Sequence, residues 1–161
     1  MLVKSAVLAT MAAIVMGFAS GVAAQQTPNP YGPPISLENA KKAAAAAAAE
    51  ARKNNWAQAI AVTDIAGNLV YFEKIDGTQT ASVDIAIAKS RSAAIFKRPT
   101  KVFQDLVAGG NTGVLALKGA IPSEGGIPIV IDGKIVGAIG ASGGTSQQDG
   151  VAAKAGVDAL K

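Results

Sequence analysis

The chain has no cysteine and no histidine in its 161 residues, and its three methionines, Met1, Met11 and Met16, all stand near the N-terminus. Without cysteine the fold rests on its core alone, with no disulfide and no thiolate metal site. Without histidine, Ser-His-Asp and Cys-His triads, the usual zinc sites and His- or Cys-ligated haem or corrinoid are excluded. Aromatic residues are only 4% of the chain. Charge is modest too: the formal net value of +4 is too small and too dispersed for the broad basic face that duplex nucleic acid requires.

What is present begins with the pattern of a leader. Lys4, the apolar run "AVLATMAAIVMGF" and the small residues "GVAA" fit a cleaved signal peptide over residues 1–24, the run being shorter than the roughly 20 residues that span a bilayer. The expectation is a periplasmic or secreted protein with no membrane segment after cleavage. Residues 25–35 carry four prolines and no apolar period, which predicts a flexible tether in which Tyr31 has no role. Residues 36–161 then make one domain with one core.

Within that domain Ser36 is placed to cap an alanine-rich helix. "WAQAIAVTDIAGNLVYFEKIDG" reads as a hairpin turning at Gly67 or Asn68, and "GGIPIVIDGKIVGAIGASGG" as a second turning at Asp132-Gly133. Between them lie a helix ending near Arg98 and a shorter one with Thr100 as candidate N-cap. The closing helix opens at Ser146 with Asp149 three residues on, an acidic variant of the capping box. This order predicts an α+β fold with a mainly antiparallel sheet and helices packed on it.

Gly137, Gly140 and Gly143 recur every three residues, which matches neither a dinucleotide nor a Walker loop. Close backbone approach is the simpler use of such glycines. Gly143, Gly144 and Thr145, just before a helix, form a weak candidate anion nest. Asp64, Asp76 and Asp84 lie near element ends without a partner and read as turn formers, so no catalytic residue and no metal site is assigned.

The stretch "AKSRSAAIFKRPT" is more informative. From Ile85 to Gln104 there are five cations, Lys89, Arg91, Lys97, Arg98 and Lys101, and no carboxylate. Helical phase puts Val83, Ile87, Ser90 and Ala94 on one stripe, with Ala86 and Ala93 beside it, suited to packing on the sheet. A second stripe gathers Ile85, Lys89, Ser92 and Phe96, while Arg91 and Arg98 turn toward solvent. That mixture suits a flat, apolar, carboxylate-bearing ligand, whose ring needs burial and whose carboxylates need cations. A subunit interface, with Phe96 packed and Lys89 in an intersubunit pair, suits it equally. Lys89 and Ser92 also share a face as a conceivable base and nucleophile.

"DIAIAKSRSAAIFKRPT", "GGIPIVIDGKIVGAIGASGG", "QQDGVAAKAGVDAL" and "AVTDIAGNLVYFEKIDG" together resemble the GlcG/HbpS family, also called haem-degrading or DUF336 domains and similar to the C-terminal domain of PduO. The resemblance spans about Ser36 to Leu160. Lys89, Ser92, Phe96, Pro99 and Thr100 fall in the family's Lys-x-x-Thr/Ser-x-x-x-Phe-x-x-Pro-Thr pattern, and Gly125, Gly126, Gly143 and Gly144 match its glycine pairs. The resemblance implies a profilin-like sandwich of about five strands, commonly a dimer, tetramer or octamer, and binding of haem or a similar ligand. On that basis Lys89, Ser92, Arg98 and Thr100 would supply charge and hydrogen bonds, and Phe96 and Phe103 ring contact. Haem, the candidate cofactor, would find no histidine and only a weak oxygen ligand such as Thr100. The alternatives are a structural or accessory oligomeric module without a ligand, and a weak enzyme acting on a small carboxylate through Lys89.

Overall fold

The computed structural model describes residues 28–161, so the leader expected over residues 1–24 lies outside the described residues. Alanine spacing builds the first layer. Helix α1 (Leu37–Lys53) is capped by Ser36, whose hydroxyl accepts from the Asn39 amide at 3.2 Å. It buries Ala40, Ala43, Ala44, Ala47, Ala48 and Ala51 along one stripe. Methyl groups of this size let the closing helix α4 (Ser146–Asp158) approach closely, and they pack with Ile60, Val62, Ile129, Ile139, Ala152 and Ala153 as the main core.

The sheet has four strands, one fewer than expected: β1 (Ala59–Asp64), β2 (Leu69–Lys74), β3 (Gly126–Ile131) and β4 (Lys134–Ser142), in the order β2-β1-β4-β3. Every pairing is antiparallel. In place of a fifth strand there is a strap. Pro30 to Ile35, within the expected tether, lies along the start of β4: the Ile135 amide donates to the Pro30 carbonyl at 2.8 Å, Gly32 donates to the Ile135 carbonyl at 2.8 Å, and Ile35 donates to Val136 at 2.7 Å. β1 reaches β4 only from Gly137 onward, which leaves these backbone groups for the strap to satisfy. Tyr31 forms a parallel bridge with Ile135.

Helix α2 (Ser82–Phe96) packs on β1, β4 and β3, and α3 (Lys101–Ala108) with a 3-10 turn (Thr112–Ala116) follows it. The buried face of α2 is Ser82, Ala86, Lys89, Ser90, Ser92, Ala93 and Ala94, rotated from the stripe predicted by large apolar residues. Val83 and Ile87 are only half-buried. The reason is the surface beneath: Ala59, Ala61 and Ala138 are buried against this layer, and a Cβ on Gly140 or Gly126 would strike the backbone oxygen of Ala86 or Lys89. The helix rests on the sheet almost backbone to backbone, so small and hydrogen-bonding side chains fit where leucine would not. Ser90 donates to the Ala138 carbonyl and shares a hydrogen bond with Thr63, both at 2.9 Å.

Two cap assignments change. The N-cap of α4 is Thr145, not Ser146, in a reciprocal capping box with Gln148. Thr100 precedes α3 but makes no side-chain cap bond. Asp64 does serve its turn, accepting from the Ala66 and Asn68 amides.

Candidate functional site

Lys89 turns into the interior of the domain. Its side chain is 2% exposed, and its ammonium lies 2.7 Å from Asp149 Oδ2 and 3.3 Å from the Ala141 carbonyl. Asp149 is therefore no helix cap but the partner of a buried charge, joining α2 to α4. Its other oxygen accepts from Gln58 Nε2 at 2.8 Å and from the Gly144 amide at 3.0 Å. Burial raises the Asp149 carboxyl above the ordinary carboxylate range, against the opposing pull of Lys89, Gly144 and Gln58. The Gln58 Oε1 is buried with no hydrogen-bond partner among the described residues.

The anion nest expected at Gly143, Gly144 and Thr145 is thus occupied from within: Gly144 holds Asp149, and the Thr145 amide donates to Gln148 at 2.9 Å. Gly125 lets the chain cross the pair. At its φ of +125°, a Cβ would sit 2.8 Å from that of Asp149 and 3.0 Å from the Lys89 ammonium. Helical phase does contain a signal for Asp149, which shares a stripe with Ala152, Ala153 and Gly156, all buried.

The other sequence-predicted residues divide. Ser92 is buried and accepts from the Ile121 amide at 3.1 Å, so it does not pair with Lys89 as base and nucleophile. Thr100 is also buried: its hydroxyl accepts from the Gly126 amide at 2.9 Å. Phe103 is buried, with Phe96 edge-on at 5.1 Å between centroids. Arg98 alone among the six is exposed, its guanidinium 6.0 Å from the Phe103 ring centre and its Nε donating to the Phe96 carbonyl at 3.1 Å.

Arg98 stands on a groove of about 850 Å³. Lys97, Arg98, Pro99 and Val102 form one wall, Ile127, Pro128, Val130 and Ile135 the floor, and Pro28 and Asn29 the end nearest the strap. Lys97 is a residue that the sequence reading missed. It ends α2 in the left-handed conformation, φ 55° and ψ 33°, where glycine is usual and a side chain is strained. Its ammonium lies 4.1 Å above the Tyr31 ring. The remaining cations are spoken for: Arg91 donates to Gly67 and Lys101 pairs with Asp105. Among the described residues neither Lys97 nor Arg98 makes an ion pair. Apolar floor and two uncompensated cations together can seat an apolar anion.

The chain is similar in sequence and fold to known proteins. Protein GlcG of Escherichia coli K12 is 38% identical over 108 residues, 67% of this chain and 81% of that protein. The crystal structure of Klebsiella pneumoniae protein ORFY superposes with a TM-score of 0.75 at 30% identity, covering 80% of this chain and 92% of that one. The crystal structure of HbpS does so with a TM-score of 0.74 at 30% identity, covering 81% and 92%. Residues 35–158 match the family described as haem degrading protein HbpS-like. With the antiparallel sheet, the two helical layers and the glycine pairs in place, the chain belongs to the HbpS-like family.

Proposed function

We propose that this chain is an exported binding protein for an apolar anion, haem being the first ligand to test. The observation that carries the reading is the groove beside the α2–α3 connection, where Lys97 and Arg98 border a floor of Ile127, Pro128, Val130 and Ile135. Its volume falls within the roughly 300–1,000 Å³ of small-molecule sites. The family description, haem degrading protein HbpS-like, supports a tetrapyrrole-like occupant, and the leader pattern of residues 1–24 supports export.

The fit to haem is partial. The apolar floor suits the macrocycle and the two cations suit its carboxylates, but the lining offers no histidine, cysteine or methionine to iron. Binding through the ring face and the carboxylates is what these residues supply, and no haem-degrading step is derived from them. An imine-forming enzyme is disfavoured, since Lys89 is sealed beneath Gly125.

Titration of purified protein with haemin should give a saturable Soret shift. A charge-assisted bond is worth about 1.5–3 kcal/mol, so Lys97→Ala and Arg98→Ala should each weaken binding by roughly tenfold or more. No saturable shift in the unaltered protein, or an affinity unchanged from it in both variants, overturns the reading.

An oligomeric role has its own observation. Ile95, Leu106, Leu115 and Leu117 are exposed at the end of α2, on α3 and on or just after the 3-10 turn that packs on it, and neighbouring exposed apolar side chains suit an interaction surface. The double substitution Leu115→Ser, Leu117→Ser should lower the mass seen by light scattering if this face joins copies, and leave it unchanged if the chain is monomeric.

A further inference from the structure

Resting on the groove reading above, we infer that Tyr31 is a positioning residue for ligand binding, and that the N-terminal strap is part of the site. Three contacts converge on this side chain. Its hydroxyl donates to the Ala94 carbonyl at 2.8 Å and approaches that of Ile95 at 3.2 Å. Both carbonyls belong to the last turn of α2, where helical amides run out and only the Lys97 amide reaches back to Ala94, at 3.4 Å. Its backbone is bridged to Ile135, a floor residue of the groove. Its ring lies under the Lys97 ammonium. One phenol therefore ties the strap, the end of α2 and the groove floor together.

The consequence concerns Lys97. A lysine at a left-handed C-cap has a flexible stem and would otherwise spread its charge over many rotamers. The Tyr31 ring attracts the ammonium through its negative face and confines it to the groove wall. The ammonium's other donors stay available to a carboxylate. Partial burial raises the Tyr31 phenol above its ordinary value, so the hydroxyl stays protonated and remains a donor at neutral pH. The ligand class that fits is an apolar molecule with two acidic groups, one for Lys97 and one for Arg98. A single acid on the same apolar body would engage one cation only.

The test uses the full chain. Tyr31→Phe keeps the ring and loses the hydroxyl; Tyr31→Leu loses both. Lys97 side-chain methylene resonances should be shifted upfield by the ring in the unaltered protein and in Tyr31→Phe, and should return to ordinary values in Tyr31→Leu. Haemin affinity should fall about tenfold in Tyr31→Leu and two- to threefold in Tyr31→Phe, and the monomethyl ester of haem should bind less tightly than haemin. Unshifted Lys97 resonances in the unaltered protein overturn the positioning role whatever haemin does. A ring shift that Tyr31→Leu removes, together with unchanged haemin affinity, overturns the link to binding. Absence of haemin binding in the unaltered protein sinks the ligand reading, while the resonances still decide the placement of Lys97.

Discussion

Lys89→Met should destabilise the domain by about 3–5 kcal/mol, the usual loss when one member of a buried ion pair is removed. The cost comes from the partner left behind. Asp149 would keep Gln58 and Gly144 as donors but lose the only cation among the described residues within bonding distance of it. Adding Asp149→Asn to the same chain should recover at least half of the loss, because no unpaired charge is then buried and the acceptor for Gln58 and Gly144 survives. Urea midpoints for the two single variants and the double variant measure this coupling.

The pH dependence of Lys89→Met has a definite sign. Burial already raises the Asp149 carboxyl, and loss of the opposing lysine raises it further. A carboxyl raised in the folded state retains protons that the unfolded chain has released. Its contribution is therefore fully present below the unfolded value of about 3.9 and is lost as pH rises through the folded value. The gap between variant and unaltered protein should narrow as pH is lowered from neutrality toward the unfolded value. A gap that widens on acidification, or a double variant no more stable than Lys89→Met, contradicts a buried charge as the source of the loss.

Gly140→Ala should be nearly as damaging. The added methyl would overlap the Ala86 carbonyl oxygen and lie 2.6 Å from the Ser90 amide nitrogen, both backbone atoms of α2. No rotamer change relieves that contact, so the helix or β4 must move. Overpacking of this kind costs about 3 kcal/mol at the upper end of its usual range, which corresponds to a fall of roughly 10 °C in Tm for a domain of this size. Gly113→Ala is the control, since nothing but the Asn111 side chain lies within 4 Å of the added carbon. Equal melting curves for the two variants would show that α2 is not held against the sheet by Gly140.

The same close approach explains what could be read from the sequence. The helices, both hairpins and the antiparallel sheet were legible because their turns and periods are local: Asp132-Gly133 turns β3 into β4 and alanines repeat along α1. The inward face of α2 was not, since the period of Val83 and Ile87 marks only its flank. Where glycine and alanine line the sheet, the buried side of a helix is marked by serine, alanine and one lysine. The burial of Lys89 depends on Asp149, 60 residues away, and on Gln58, 91 residues from Asp149. Spacing within a helix cannot report such partners. Tyr31 was passed over for a related reason, because a proline-rich stretch carries no period to announce that it docks.

The bridge from Tyr31 to Ile135 also sets an order in time. A chain is made and delivered from its N-terminus, and local contacts form before distant ones. The strap emerges first among the described residues, yet its partner follows about a hundred residues later, beyond both helices of the α2–α3 layer. The groove is therefore completed only after β4 has been made, since Ile135 both lines it and holds the strap.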